Sequence, residues 1–325
     1  MLLSAIYEAD FLPCSFGYRP GIGARDAVKS LTATLQFGRF GYLVEADIKG
    51  FFDHMDHDWL IRMLELRIND RAFLGLIKKW LKAGILETDG SVIHRVTGTP
   101  QGGIVSPVLS NVYLHYVLDL WFERIIKPRC RGSAMLCRYA DDFVCAFQYR
   151  SDALAFYREL PERLGKFNLE VALDKTRIHR FSRFHSGLKR RFAFLGFEFY
   201  WGHDKKGTAR VKKRTCRAKL RAALRNFTAW IRTNRHKRLK YLMKTLVSKL
   251  RGYYNYYGMI GNYRSLCYFH MGAMGILFKW LNRRSQRASY NWKGFKEMLK
   301  RFNVPRPRIF DKRGAGKIWF LDCLC

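Results

Sequence analysis

Acidic side chains are scarce in this sequence, which has 26 Asp and Glu against 60 Lys and Arg and a formal charge of +34. An excess this large is not that of an ordinary solvated surface, and it favours a polyanionic partner such as a nucleic acid. The scarcity is uneven: residues 201–325 contain 4 acidic and 32 basic side chains, whereas residues 1–200 contain 22 and 28. We therefore expect the second part to be a basic arm whose nucleic-acid binding weakens steeply with salt.

Long uncharged apolar runs are also missing. The best candidate, residues 271–281, is short for a membrane helix and contains Lys279, and the first residues lack the basic lead of a signal peptide. The eight cysteines form no C-x-x-C pair and no zinc-ligand spacing with histidine. These absences predict a soluble, cytoplasmic protein with reduced thiols and without a membrane partner.

Three aspartates beside apolar runs are the most informative feature that is present. Asp47 closes the run 42–47, and the adjacent pair Asp141 and Asp142 interrupts the run 134–149, which predicts a hairpin with the pair at its tip. If Asp47 ends a neighbouring strand, the three carboxylates form an oxygen-rich cage for two divalent cations roughly 3.5 to 4 Å apart. On the aspartates alone, solvated turn residues and a helix cap explain the pattern equally well.

The periodicity of apolar residues predicts an α+β fold with a mostly antiparallel sheet. Helices are expected near residues 56–67, 71–83, 106–127 and 151–166, and strands near 42–47, 86–97, 134–149, 176–182 and 192–201. Basic amphipathic helices are expected after residue 203, at 215–233, 236–257, 264–284 and 292–302. The shift in composition at 202–207 predicts a domain over residues 1–202, a helical domain over 203–310 and a tail over 311–325.

Three local clusters allow a functional and a structural interpretation. Histidines and aspartates over residues 53–58 resemble a metal site, but they open an apolar helical pattern and fit a helix cap better. Gln101, flanked by Pro100 and glycines, can approach a nucleotide closely, although the loop alone is typical of an ordinary turn. Phe52, in an aromatic pair after Asp47, can filter a sugar sterically, although such a pair is usually core.

Six sequence blocks, in order and spacing, resemble those of group II intron reverse transcriptases. The blocks are Ser15-Phe16-Gly17-Tyr18-Arg19-Pro20, Asp47-Ile48-Lys49-Gly50-Phe51-Phe52-Asp53, Gly98-Thr99-Pro100-Gln101-Gly102-Gly103-Ile104-Val105-Ser106-Pro107, Tyr139-Ala140-Asp141-Asp142, Leu173-Asp174-Lys175-Thr176 and Phe194-Leu195-Gly196-Phe197. The later segments 250–257 and 280–284 resemble the thumb, or maturase, region of the same proteins.

The resemblance implies a right-hand polymerase with fingers and palm followed by an all-α thumb. It implies that Asp47, Asp141 and Asp142 are catalytic and hold two Mg²⁺ ions, which Mn²⁺ can replace, together with the Ile48 carbonyl. The residues that it implies for nucleotide binding are Arg19, Ile48, Phe52, Gln101 and Lys175. Those implied for the primer grip are Phe194, Leu195, Gly196 and Phe197. The basic arm offers RNA-binding candidates, which are Lys212, Lys213, Arg214, Arg251, Tyr254, Arg283 and Arg284.

The resemblance also defines two alternatives for function. The first is an RNA-directed DNA polymerase that uses deoxynucleoside triphosphates, an RNA template and a DNA primer, and that assists splicing and mobility of its intron RNA. The second is an RNA-binding maturase, or an inactive remnant, without polymerase activity. Family members carry a basic fingertip segment before the block that begins here near residue 5, and many carry a Cys/His-rich nuclease domain after the thumb. We therefore expect a chain truncated at its N-terminus and without that nuclease.

The sequence leaves open whether the chain forms a homodimer. The tyrosines at 253–257 fit helix packing as well as base stacking.

Overall fold

A computed structural model of the protein describes residues 2–82, 85–86, 92–93, 97–99, 103, 105–186, 190–284 and 289–311. The described residues up to 195, together with 200–211, form one compact unit, and residues 196–199 and 212–311 belong to a second. Helices and antiparallel sheets build the first unit, and the second is almost entirely helical. The predicted α+β fold is therefore confirmed.

The first unit begins with helices and short strands around β1, which is an interior strand of the main sheet. Their bounds are α1 Leu2–Glu8, α2 Ala24–Phe37, β1 Tyr42–Asp47, α3 Phe51–His54, α4 His57–Glu65, α5 Arg71–Lys82, β2 Ile85–Leu86, β3 Val92–Ile93 and α6 Ser106–Leu114. The elements that follow are α7 Lys127–Arg129, β4 Ala134–Tyr139, β5 Asp142–Phe147, α8 Arg150–Gly165 and β6 Arg177–Arg180. The predicted strand β1 and the hairpin β4–β5 are confirmed to within two residues.

Four of these strands form one antiparallel sheet in the order β4-β5-β1-β6. The central strand β5 is buried on both faces, because Phe143 and Cys145 point into a core with α4, α6 and α8, while the alternate residues are equally buried. On the other face, Cys137 of β4 lies against the backbone of α2. Burial on both faces explains why β5 is a continuous apolar run instead of an alternating one.

The helix predicted over 106–127 is continuous but not uniform. After α6, two π-helical turns span His115–Asp119 and Phe122–Ile126 before α7 closes the segment. A π-helical turn rotates the residues after it relative to a regular α-helix, and such turns are frequent at functional sites. The first of them contains Asp119, which is fully buried.

A second sheet has the order β7-β8-β9, formed by Arg191–Phe194, Phe197–His203 and Ala209–Thr215. The single strand predicted over 192–201 is wrong: a turn at Leu195 and Gly196, both with positive φ, divides it into β7 and the first part of β8. Strand β9 was not predicted. The shift in composition at 202–207 coincides with the turn between β8 and β9, where Gly207 has a φ of 79°. The domain limits 1–202, 203–310 and 311–325 stay a prediction, and residues after 311 lie outside the described part of the chain.

The second unit contains helices α9 Arg217–Asn234, α10 Leu239–Tyr257, α11 Tyr263–Leu281 and α12 Trp292–Arg301. Their apolar faces share one core, in which Tyr253 stacks on Phe269 with ring centroids 3.6 Å apart. Helices α9 and α11 approach closely at Gly272, where a Cβ atom would lie 3.0 Å from Leu224. Among the described helices of either unit, none is long and apolar enough to cross a bilayer.

The cluster of histidines and aspartates at 53–58 acts as a helix cap, as the sequence indicates. The Asp56 carboxylate accepts a hydrogen bond from the Trp59 N–H at 2.9 Å, at the start of α4. Burial opposes ionisation of this carboxyl, but hydrogen bonds from Trp59 and Asn168 outweigh it and lower its pKa. The carboxylate therefore satisfies one of the free N–H groups in the first turn of α4.

We expect Asp56→Ala to destabilise the protein by about 1 kcal/mol, because the cap acceptor is lost. Asp56→Asn is the matched control, since its amide oxygen can still accept from Trp59. The measurement is the urea midpoint at constant slope. A loss in the Asn variant as large as that in the Ala variant would contradict the cap.

Candidate active site

Asp47 and Asp142 lie opposite each other at one end of the sheet. Asp47 is the last residue of β1, Asp142 is the first of β5, and the antiparallel register pairs the two directly. Such partners have Cα atoms roughly 4.5 to 5.5 Å apart. Asp141 precedes Asp142 in the turn that joins β4 to β5. The sheet thus brings all three predicted catalytic residues to one end of its strands, called the candidate catalytic edge below.

The backbone at Ile48 points toward this same edge. The Asp47 carbonyl accepts from the Ala172 N–H, and the Lys49 N–H donates to the Glu170 carbonyl, both at 2.9 Å. Backbone groups alternate sides along a strand, so the carbonyl of Ile48 faces away from residues 170–172 and toward the carboxylates. This direction agrees with the predicted metal-ligand role of the Ile48 carbonyl.

Negative charge accumulates at this edge. Burial, followed by the carboxylates of Asp47, Glu45 and Asp141, raises the pKa of Asp142 to about 7, although the Leu195 N–H opposes the shift. The pKa of Asp141 is also raised, mainly by burial and further by Asp47. Ionised carboxylates held this close repel one another, and a bound cation relieves that repulsion.

Lys175 supplies the nearest positive charge. Its Nζ lies 2.6 Å from Oδ2 of Asp47, and this hydrogen bond and attraction raise the pKa of Lys175. The lysine lies within a tight turn in which its own N–H and the Thr176 N–H both donate to the Ala172 carbonyl. Its side chain remains 64% exposed, so a bound triphosphate can reach it.

The three carboxylates have the donor chemistry that a divalent cation needs, but their side chains are not arranged as a metal site. Hard oxygen donors and surplus negative charge are what Mg²⁺ and Mn²⁺ require. However, within the described ranges no three His, Cys, Asp or Glu side chains converge as a ready metal cluster. Mutual repulsion and the attraction of Asp47 to Lys175 both favour separated side chains in the cation-free chain. The backbone therefore places the three residues next to one another, but their side chains do not converge as a cage. Binding of two ions stays a prediction.

Phe52 is the second residue of the short helix α3, whose N-cap is the left-handed Gly50. Its ring is partly buried and packs edge-to-face on the buried Phe51, with centroids 5.4 Å apart. The Phe52 carbonyl accepts from the Thr99 N–H at 2.7 Å, and His57 Nε2 lies 2.6 Å from the Gly98 carbonyl. The loop that leads to Gln101 is thus anchored on α3, while Gln101 itself lies outside the described residues.

Arg19 is engaged in structural contacts. Its Nε and Nη2 donate to Glu8 at 2.9 and 2.6 Å, and its Nη1 donates to the Leu12 and Ser15 carbonyls at 3.0 Å. The side chain is only 9% exposed. Its predicted contact with a nucleotide is not among these bonds and stays a prediction.

The predicted primer grip is the turn between β7 and β8. Leu195 and Gly196 have φ values of 48° and 76°, which suit a tight hairpin turn. Phe194 and Phe197, on either side of it, are buried. Leu195 directs its N–H toward the carboxylate of Asp142, so the turn contacts the candidate catalytic edge directly.

The predicted RNA-binding residues differ widely in accessibility. Lys213 is 8% exposed and Arg214 donates to Glu198 at 2.9 Å, while Lys212, which precedes them in β9, is half-buried. Arg251 is exposed on α10. These positions make Arg251 a better candidate for phosphate contact than Lys213.

The tyrosine cluster of α10 is mostly packing. Tyr254 is 1% exposed and its hydroxyl lies 2.8 Å from His270 Nδ1, so it is not available for stacking on a base. Tyr256, which is 36% exposed, stacks on Phe197. Near the end of α11, Arg283 lies over the ring of Trp280, and Arg284 donates to the Lys237 carbonyl.

Sequence reasoning missed the buried residues that contact the candidate catalytic turn between β4 and β5. Arg138 and Asp119 form a fully buried ion pair beneath it, and Ser15 and Asn111 complete the contacts of the guanidinium. The available signal was a lone arginine inside the apolar run of β4 and a lone aspartate inside an apolar helix. A buried charge needs a partner, so two such residues indicate each other.

The family model described as "Reverse transcriptase (RNA-dependent DNA polymerase)" matches residues 3–199. The chain therefore belongs to the reverse transcriptase family. It is similar to the group II intron-encoded protein LtrA of Lactococcus lactis subsp. cremoris, with 29% identity over 83% of this chain and 57% of that protein. It is also similar to an uncharacterised 91 kDa protein in the cob intron of Schizosaccharomyces pombe, with 42% identity over 38% of this chain and 15% of that one.

Among solved structures, the apo telomerase of Candida tropicalis aligns over 93% of this chain and 52% of its own, with a TM-score of 0.48 and 13% identity. The chain spans a little over half the length of the Lactococcus lactis relative. The resemblance to group II intron reverse transcriptases that the sequence blocks predict is confirmed by the family and by these relatives.

In the absence of metal, we expect Asp142→Asn to be more stable than the parent at pH 8 and the gap to close toward pH 5. The pKa of Asp142 is about 7 in the folded chain and about 3.9 in the unfolded chain. Ionising this carboxyl therefore lowers the free energy of unfolding, and the loss grows as the pH rises from about 3.9 to about 7. The measurement is the melting temperature in EDTA between pH 5 and 8.5. Asp174→Asn, which replaces an exposed carboxylate beside Lys175, is the control for the general effect of removing one carboxylate. A gap that widens toward pH 5 would contradict the assignment.

Proposed function

We propose that the protein is an RNA-directed DNA polymerase that adds deoxynucleotides to a primer on an RNA template. We further propose that it serves a group II intron, assisting the splicing and mobility of the intron RNA. The observation that carries the polymerase proposal is the register that sets Asp47 opposite Asp142, with Asp141 beside them at an accessible sheet edge. Membership of the reverse transcriptase family supports it.

In this proposal, the side chains of Asp47, Asp141 and Asp142 and the Ile48 carbonyl hold two Mg²⁺ ions. When bound, such ions acidify the primer 3′-hydroxyl and neutralise charge on the α-phosphate and the pyrophosphate leaving group. In this reaction the hydroxyl would lose its proton to solvent and its oxygen would attack the α-phosphate. The new phosphodiester bond would replace the bond between the α- and β-phosphates, and pyrophosphate would depart. Carboxylates that repel one another in the free chain gain from a bound cation, because its positive charge relieves that repulsion.

Neighbouring residues position the substrates. Lys175, exposed beside Asp47, faces the triphosphate and can exchange its carboxylate contact for a phosphate contact. Phe52 lies under the sugar and excludes a 2′-hydroxyl, and Gln101 contacts the nucleotide from the loop anchored on α3. The turn at Leu195 and Gly196 holds the primer end. The template is read by base pairing, so the protein needs to hold only backbone and duplex shape.

Primer extension on an RNA template tests the polymerase proposal. We expect the parent to extend the primer with Mg²⁺ or Mn²⁺, and the isosteric double variant Asp141→Asn/Asp142→Asn to be slower by about a thousandfold or more, because metal stabilisation of the transition state is lost. RNA affinity at several salt concentrations, measured on both proteins, should be similar and should fall with salt. Extension by the double variant at the parental rate would refute the assigned carboxylates.

The second candidate function is RNA binding as a maturase without polymerisation. The observation that favours it is the basic composition of residues 201–325, with exposed cations such as Arg251 on the helices of the second unit. A parent that accelerates splicing of a group II intron RNA but does not extend primers would establish this alternative. The cytoplasmic location and a homodimer are separate predictions.

Sugar selection gives a further prediction. We expect Phe52→Val to incorporate ribonucleotides at least about tenfold better relative to deoxynucleotides, because a smaller side chain leaves room for the 2′-hydroxyl. The measurement is the ratio of kcat/KM for the two nucleotides with the same primer and template. Phe37→Val, at an exposed position on α2, is the control. An unchanged ratio would assign Phe52 to the core alone.

A further inference from the structure

Arg138 and Asp119 form an ion pair from which solvent is fully excluded. Nε and Nη2 of Arg138 donate to Oδ1 and Oδ2 of Asp119 at 2.7 and 2.6 Å, in a two-pronged arrangement, and both side chains are 0% exposed. Asp119 reaches the arginine from the first π-helical turn after α6. The pairing fixes the plane of the guanidinium.

The remaining donors of this guanidinium are also satisfied. Nη2 donates to the Ser15 hydroxyl at 2.7 Å, and Nη1 donates to the Asn111 side-chain oxygen and to the Ala140 carbonyl, both at 3.1 Å. With the two bonds to Asp119, all five N–H groups of the arginine have acceptors. One of these acceptors, Ala140, is the residue directly before Asp141.

Ala140 needs such support because its backbone is in the left-handed region, with a φ of 56°. A residue with a Cβ atom rarely adopts this conformation unless neighbouring contacts impose it. At the peptide that precedes Ala140, Gly17 approaches so closely that a Cβ atom there would lie 2.4 Å from the Ala140 nitrogen. Asn111 holds Gly17 in place by donating to its carbonyl at 2.6 Å.

A buried ion pair is a poor source of stability in itself. Apolar residues of similar volume often replace such a pair at no loss, whereas removing one partner alone is strongly destabilising. One contact of this pair, from Arg138 to the Ala140 carbonyl, reaches the candidate catalytic turn. The position of that peptide affects the positions of the two carboxylates that follow it, Asp141 and Asp142. Residues that orient metal-binding groups commonly change metal affinity or activity by about 10- to 100-fold when replaced.

We propose that Arg138 is a positioning residue: it fixes the Ala140 peptide and thereby sets Asp141 and Asp142 against Asp47 for cation binding. This inference rests on the proposed polymerase function, since it concerns the same carboxylates. Asp119 acts through Arg138 by holding its guanidinium in plane. Neither side chain touches the substrates or the reacting atoms.

The first test compares Arg138→Lys with Arg163→Lys in the full chain. A lysine at 138 keeps the charge opposite Asp119 but lacks the fork that reaches the Ala140 carbonyl. Arg163 is the control, because it donates to the Val117 and Tyr116 carbonyls, in the π-helical turn that carries Asp119, whereas Arg138 donates to the Ala140 carbonyl. The measurements are calorimetric titration with Mn²⁺ alone, the rate of primer extension, RNA affinity and the melting temperature.

We expect Arg138→Lys to weaken Mn²⁺ binding about tenfold or more and to slow extension by a similar factor, with RNA affinity unchanged within about twofold. Arg163→Lys should bind Mn²⁺ as the parent does, even where its melting temperature falls equally. Parental Mn²⁺ affinity in a folded Arg138→Lys variant would overturn the proposal, because the arginine would then act only in folding.

A second variant keeps the test decisive if Arg138→Lys fails to fold. The double replacement Arg138→Met/Asp119→Leu removes both charges together and preserves apolar packing. We expect it to fold, to bind RNA and to bind Mn²⁺ at least about tenfold more weakly. A folded double variant with parental Mn²⁺ affinity would overturn the proposal. If the parent itself does not extend primers, the proposed function fails, while the Mn²⁺ affinities still decide the role of Arg138.

Discussion

The buried ion pair between Arg138 and Asp119 is the contact on which the geometry of the catalytic unit depends. Two charges removed from water cost several kcal/mol each, so the pair persists only where every donor finds an acceptor. Meeting that requirement brings together three distant segments: residues 15–17, the helix with its π-helical turns, and β4. These segments thus meet at one guanidinium group, which also donates to the Ala140 carbonyl in the candidate catalytic turn.

The charge distribution of the molecule complements this arrangement. Carboxylates at the end of β1 and β5 repel one another, and of the described cations it is Lys175 that pairs with Asp47. Carboxylates in this arrangement favour a divalent cation as their counter-ion and repel phosphate groups in its absence. The basic composition of residues 201–325 favours a polyanionic partner instead.

The sequence predicted those parts of the fold in which the pattern of apolar residues is local. Strand β1, the hairpin β4–β5 and helix α8 follow from periodicity and begin or end within two residues of their predicted limits. Strand β9 was missed because its inward residues, Val211, Lys213 and Thr215, include a lysine, and the basic run was interpreted as part of the helical arm. The Arg138–Asp119 pair was missed because no short-range pattern joins residues 19 positions apart in different elements. The three aspartates were found because Asp47 closes one apolar strand and Asp142 opens another, with Asp141 directly before it.

Strand β1 lies between β5 and β6, both of which follow it in the chain by about a hundred residues or more. During synthesis from the N-terminus, β1 emerges long before either of its neighbours exists, while β4 and β5 can pair as soon as both are made. Contacts between distant residues form slowly, because a long loop must close first. Asp47 thus meets Asp142 only at a late stage of folding. Until then both edges of an apolar strand are exposed, and the nascent polymerase domain depends on protection from aggregation throughout that interval.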